Sequence, residues 1–233
     1  MATRPVYTAL DEPPYVRRTN VDFEFFPGFS MKQKRRTIDS LHTAFREDHP
    51  GEEVLEISTK SPEPLGAALS PFNLPIHHGD RTYPVESAFQ SSKRFQNGGP
   101  YVDLLGATAR EARRDPRLKE SGDLVGFEYF GETFPASPRT YFYDWLYINA
   151  LNQNPDLAEQ LLGHANFTDI EFNPARSKNC QAHAAALFTG MSRAGVLNQA
   201  LQSKEAFLKT AYPDHPETPV GQDGHEDEDA ACG

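Results

Sequence analysis

A mainly α-helical fold with a few short β-strands, an α+β class, follows from three features of this sequence. Apolar residues recur at helical spacing over 31–46 and 141–151. Strand-like alternation is confined to short stretches at 21–25, 54–57, 127–130 and 167–172. Gly and Pro punctuate the chain between these segments, and no repeat links them, so a single multihelical domain is expected.

Residues 1–29, with Pro5 and Pro13-Pro14, read as irregular or extended apart from one short strand over 21–25. Ser30 caps a helix over 31–46 whose apolar stripe is Met31, Ile38, Leu41 and Phe45. Its other face carries Lys32, Lys34, Arg35 and Arg36, either a solvated face or a phosphate contact. After the strand at 54–57 and a proline-rich loop at 60–64, Pro84 opens a helix that runs past Lys93 and stops at Asn97-Gly98-Gly99-Pro100. Thr108 and Glu111 form a capping box for a short helix bearing Arg110, Arg113 and Arg114, which Asp115-Pro116 ends.

The segment 141–151 is apolar all round, as a helix central to the core would be. Asn154 caps the next helix, with Pro155 at its first position and Gly163 at its end. The 167–172 alternation puts Asp169 and Glu171 on one side of a strand and Ile170 and Phe172 on the other. Ser177 then caps an alanine-rich helix reaching Phe188, and a last helix spans 204–211. The expected organisation is an N-terminal extension over 1–60 packed on the core, a main domain over 61–211 and a disordered acidic tail over 212–233.

The net charge of −10 is concentrated in that tail, which holds seven acids from Asp214 to Asp229 and no Lys or Arg. Taking those seven charges away leaves −3 for the body, so global charge neither demands nor forbids a nucleic-acid partner. Two cysteines, Cys180 and Cys232, make no disulfide framework and point to a reducing, cytoplasmic setting. With no apolar run near the roughly 18 residues of a membrane span, no membrane partner is expected. The eight histidines lack metal-ligand spacing, so neither a metal nor another cofactor is expected.

The most informative stretch is Val85-Glu86 through Lys93. On a helix, Glu86, Phe89, Gln90 and Lys93 share one face at i, i+3, i+4 and i+7. An acid, a ring, a carboxamide and an amine aligned in this way can grip and cleave a sugar–base bond; Glu86 and Gln90 also fit an ordinary i, i+4 pair, and Phe89 fits the core.

The order of several segments resembles the NADAR, or YbiA-like, family. Leu69-Ser70-Pro71-Phe72-Asn73 is similar to its first motif and Val85-Glu86…Lys93 to its second. Ala150–Leu157 with Leu161-Leu162-Gly163 is similar to the third, and Ile170-Glu171 to its acidic strand. The likeness spans about residues 65–190. The family's Trp-Gly element is replaced by residues 173–179, and residues 1–60 lie outside the family core. The chain looks like the branch that serves as antitoxin to DarT-type DNA ADP-ribosyltransferases. That resemblance implies a toxin partner and a hydrolase that removes ADP-ribose from the exocyclic amine of guanine in DNA.

For such a reaction Glu86 is expected nearest the anomeric carbon, with Glu171 as an orienting group or second acid/base, or else a solvated strand residue. Lys93 either holds a hydroxyl or phosphate as a cation or, neutral, attacks a ring-opened ribose as a Schiff-base nucleophile. Phe89 and Trp145 are candidates to stack on a base, Trp145 fitting the core as well. Gln90, Asn152 and Asn173 are candidates for sugar hydroxyls, and Arg110 for pyrophosphate or DNA backbone. The resemblance adds Ser70, Phe72 and Asn73 of the first motif, and Lys178 of the 173–179 loop, as substrate contacts. Two alternatives stay open: an N-glycosidase of riboflavin-pathway ribosylaminopyrimidine phosphates, and an ADP-ribose-binding module without catalysis.

Overall fold

The structure, a computed structural model, describes residues 1–174 and 179–215. It is a mixed α+β single domain in which helix predominates over short sheets. The largest sheet has the strand order β2-β1-β9-β3, formed by β1 (Ala2–Ala9), β2 (Val16–Phe23), β3 (Val54–Glu56) and β9 (Asn166–Thr168). β1 runs antiparallel to both β2 and β9, and β3 runs parallel to β9.

Each face of this sheet is covered. Val6, Val21, Phe23 and Val54 point to one side, where α1 (Met31–Asp48) lays down Ile38, Leu41 and Phe45. Tyr7, Leu55 and Phe167 point to the other, into the main core with α8 (Gln181–Arg193). The alternation of neighbours such as Val6 and Tyr7 follows from the two-residue period of a strand. The first sixty residues thus share a sheet with residues 166–168.

One short strand is expected in residues 1–29; the structure instead has an antiparallel hairpin of two eight-residue strands. A sheet covered on both sides buries neighbouring residues of both faces, which erases the sequence alternation along 6–9. Pro5 is tolerated because β9 pairs only with Tyr7 and Thr8, so β1 is an edge where its missing N–H would otherwise donate.

α8 crosses the turn of that hairpin at Gly190. A Cβ built there would collide with the carbonyl oxygens of Tyr15 and Leu10. Gly190→Ala is therefore expected to destabilise the fold by about 1–3 kcal/mol, the usual cost of overpacking, measured as a lower denaturant midpoint at unchanged m.

The remaining elements frame a cavity. A β4–β5 hairpin (Pro75–His78, Arg81–Pro84) feeds α3 (Val85–Ser91), which packs on α6 (Tyr141–Asn152), on a 3-10 turn at Val102–Gly106 and on α4 (Ala109–Arg114). α5 (Arg117–Glu120) leads to the antiparallel sheet β6-β7-β8, formed by Lys93–Phe95, Leu124–Tyr129 and Glu132–Pro135. α6 buries Tyr141, Phe142, Tyr143, Leu146, Tyr147 and Ile148 around its whole circumference and packs on α8. α2 (Pro64–Ala68), α7 (Pro155–Leu162), α9 (Leu197–Ala200) and α10 (Lys204–Ala211) are the remaining helices.

Several expected boundaries move. The helix opened at Pro84 ends at Ser91, and Lys93 begins strand β6. The strand expected over 167–172 ends at Thr168, because the Glu56 carboxylate takes the Ile170 N–H at 3.0 Å and turns the chain. Asp169 and Ile170 are consequently both buried, while Glu171 is exposed, so the expected two-sided pattern does not form. α8 starts at Gln181 with Cys180 at its cap; Ser177, the expected cap, lies outside the described residues, as does most of the tail, from residue 216 on.

Candidate active site

A cavity of about 1180 Å³ opens between α3, α4, α6 and the segment that follows β9. α3 enters it without a side-chain cap: the Leu74 carbonyl takes the Val85 N–H and the Pro71 carbonyl takes the Glu86 N–H at 2.8 Å. The loop at Ser70–Leu74 thereby satisfies first-turn donors that a helix normally leaves to a cap or to water. All seven residues of α3 are buried.

Glu86, 5% exposed, accepts the Gln90 Nε2 hydrogen at 2.9 Å and stands 3.9 Å from the Arg113 guanidinium. Gln90 Oε1 is buried and finds no hydrogen-bond partner among the described residues. Arg113 also lies over the Phe72 ring, 5.7 Å from its centroid.

Lys93 Nζ sits 4.8 Å from the centre of the Phe89 ring. Burial lowers its pKa to about 8; the Glu86 charge opposes that shift, and the Arg113 charge adds to it. Phe89 is itself fixed by Phe127, Phe142 and the edge of Tyr143.

A second wall is made by Asp169, Glu171, Phe172 and Gln181. Glu171 is paired with Lys34 of α1 at 2.7 Å, so the basic run of that helix reaches the cavity wall. Gln181 is anchored through Nε2 to the Ile57 carbonyl at 2.9 Å. Arg110, Arg113 and Arg114 from α4 and Arg139 from the loop before α6 supply four guanidinium groups to the lining.

Among the residues expected at a site from sequence, Ser70, Phe72, Glu86, Phe89, Gln90, Lys93, Arg110 and Glu171 line this cavity. Four others do not. Asn73 is exposed and donates to the Ala67 carbonyl. Trp145 packs among Tyr129, Phe134 and Phe142, the core alternative. Asn152 is exposed at the end of α6, and Asn173 is half-buried off the cavity wall. Lys178 lies outside the described residues.

The structure adds lining residues that sequence reasoning did not single out for the site: Asp169, Tyr143, Gln181 and Arg139. Asp169 alone carried a signal, as an acid two residues from Glu171. Tyr143 was hidden inside an apolar helix, and nothing local in the sequence sets Gln181 or Arg139 apart.

No helix of the described residues is long and apolar enough to cross a membrane. A family model described as NADAR-DarT1, DarT1-associated NADAR antitoxin, matches residues 2–219. No curated protein matches the chain.

Proposed function

Since the chain belongs to the family of DarT1-associated NADAR antitoxins, we propose that it hydrolyses an N-glycosidic bond, removing ADP-ribose from the exocyclic amine of guanine in DNA. The toxin's modification would thus be erased from the strand. The observation that carries this reading is the pairing of a buried acid, Glu86, with a half-buried amine, Lys93, on the wall of one arginine-rich cavity.

At about 1180 Å³ the cavity exceeds the roughly 300–1,000 Å³ of ordinary small-molecule sites. It has room for ADP-ribose and part of the attached nucleotide, whose base must be unstacked to enter. Four arginines suit a pyrophosphate better than the single phosphate of a ribosylaminopyrimidine, which favours the ADP-ribose substrate. Phe72 offers a ring face for a base or sugar.

The Glu86 carboxylate stabilises positive charge as the aminal opens, the C1′–O4′ bond breaking with its electron pair to O4′. Neutral Lys93 then adds to C1′, the proton its nitrogen sheds passing to O4′, and the C1′–N bond breaks with its pair returning to the guanine amine. A Lys93 Schiff base remains, which water hydrolyses to free ADP-ribose and the amine.

Two measurements test this. Free ADP-ribose is expected from a guanine-modified oligonucleotide and not from a thymine-modified one. Borohydride added during turnover is expected to inactivate the enzyme and leave a reduced adduct on Lys93. Full turnover with no adduct would remove the covalent step, and no ADP-ribose release at all would remove the hydrolase.

A further inference from the structure

Two acids meet behind the second wall of the cavity. Glu56 of β3 is fully buried, whereas Asp169, 6% exposed, lines the cavity itself. The two are held together through the turn after β9. The residues on either side of Asp169 both donate to Glu56: Thr168 through its hydroxyl at 2.9 Å, and Ile170 through its N–H at 3.0 and 3.2 Å to the two carboxylate oxygens. Ser58 adds a further side-chain hydrogen bond to Glu56.

Complete burial raises the Glu56 carboxyl as well, but hydrogen bonds from Ser58, Ile170 and Thr168 oppose that rise and favour its charged form. Asp169 is less well supplied: its Oδ1 accepts the Glu171 N–H at 2.9 Å, and the Phe172 backbone adds one further hydrogen bond. Two neighbouring carboxyls in a low-dielectric interior do not both ionise, and the proton settles on the one with the weaker set of donors.

Among the described residues, the surroundings of Asp169 contain little to draw that proton off. Glu56 faces it from β3, Glu171 from its own turn, the phenols of Tyr143 and Tyr147 from α6, and the Cys180 thiol from the start of α8. Behind Thr168 stands His42 of α1, 3.0 Å from its hydroxyl and lowered to about 4 by burial, hence neutral. Lys34 of α1 is engaged by Glu171. Burial and the Glu56 charge push the Asp169 carboxyl well above the usual carboxylate range.

We propose that Asp169 is the catalytic acid that protonates the departing guanine nitrogen, a role that rests on the hydrolase reading above. As the C1′–N bond breaks, its electron pair returns to the guanine nitrogen and the Asp169 O–H proton joins it. Guanine leaves as the free amine and Asp169 is left as a carboxylate. The water that adds to the Lys93 Schiff base then gives up a proton, which restores Asp169. Glu56 touches no substrate; it is a positioning residue that keeps the proton on Asp169.

The test is the pH dependence of single-turnover guanine release and of ADP-ribose affinity in wild type, Asp169→Asn and Glu56→Gln. Wild type is expected to lose activity on the alkaline side as Asp169 deprotonates. Asp169→Asn should lower the rate by about 10²–10⁴, abolish that alkaline limb and leave ADP-ribose affinity within threefold. Glu56→Gln, lacking the facing charge, should move the limb to lower pH by at least one unit. A wild type that releases no ADP-ribose would instead sink the hydrolase reading. An active wild type with Asp169→Asn within threefold of it would overturn the role of Asp169 alone. If Asp169→Asn fails to fold, the other two profiles decide: a limb that Glu56→Gln shifts downward supports the proposal, and a flat or unshifted alkaline side overturns it.

Discussion

Glu86→Gln is expected to lower the rate of ADP-ribose release by about 10²–10⁴, the range for a carboxylate acting at the reacting centre, with ADP-ribose affinity nearly unchanged. The amide keeps an oxygen for the Gln90 hydrogen bond and fits the same space on α3, so the fold should be retained. What it loses is charge, and that loss has a second signature. The Glu86 charge is what raises the pKa of Lys93 against burial. Removing it should move the acidic limb of the residual pH–rate profile to lower pH. Rates on guanine-modified oligonucleotide across pH, with ADP-ribose affinity by calorimetry, measure both effects. A rate within tenfold of wild type would remove Glu86 from the reaction.

The second large effect concerns Lys93. If its neutral amine is the nucleophile, the acidic limb of the pH–rate profile has its midpoint near 8, because burial and Arg113 have brought the amine down to that value, and the alkaline fall set by Asp169 lies beyond it. Lys93→Met should reduce turnover by about 10³–10⁶, the scale of losing a nucleophile, and abolish borohydride trapping. Lys93→Arg separates the two roles open to this residue. Arginine keeps the positive charge yet does not lose its proton, so it stays inactive if the amine attacks C1′ and regains activity if only charge is needed. Rescue by arginine would assign Lys93 to substrate binding.

Much of the helical framework was legible in the sequence because its signals are local. Ser30 caps α1 through the Gln33 N–H, and Thr108 and Glu111 form both halves of the capping box of α4. α10 runs from Lys204 to Ala211, as its spacing predicts, with Ser203 capping it. The features that escaped depend on partners distant in sequence. The β1–β2 hairpin is masked because α1 and α8 cover both faces of its sheet. β9 ends early because Glu56, more than a hundred residues away, takes the Ile170 amide.

The site was legible in the same proportion. Glu86, Phe89 and Gln90 share one helix, and helical spacing alone brings them to the cavity. Lys93 reaches it from a strand, so its place there owes nothing to the i+7 spacing that drew attention to it. Asp169 escaped because its burial depends on a turn that a strand reading does not contain. Trp145 had two readings, ligand and core, and the core one holds: the rings of Tyr129, Phe134 and Phe142 occupy its surroundings.

The parallel ladder that joins Val54 to Asn166 has a consequence for biosynthesis. A nascent chain that has emerged from the ribosome only as far as residue 160 already carries Glu86 and Lys93. It has no β9 to hold β1 and β3 together, and it lacks the residues that form the far side of the chamber. The chamber would then close only in finished molecules, however much of its lining had already left the ribosome.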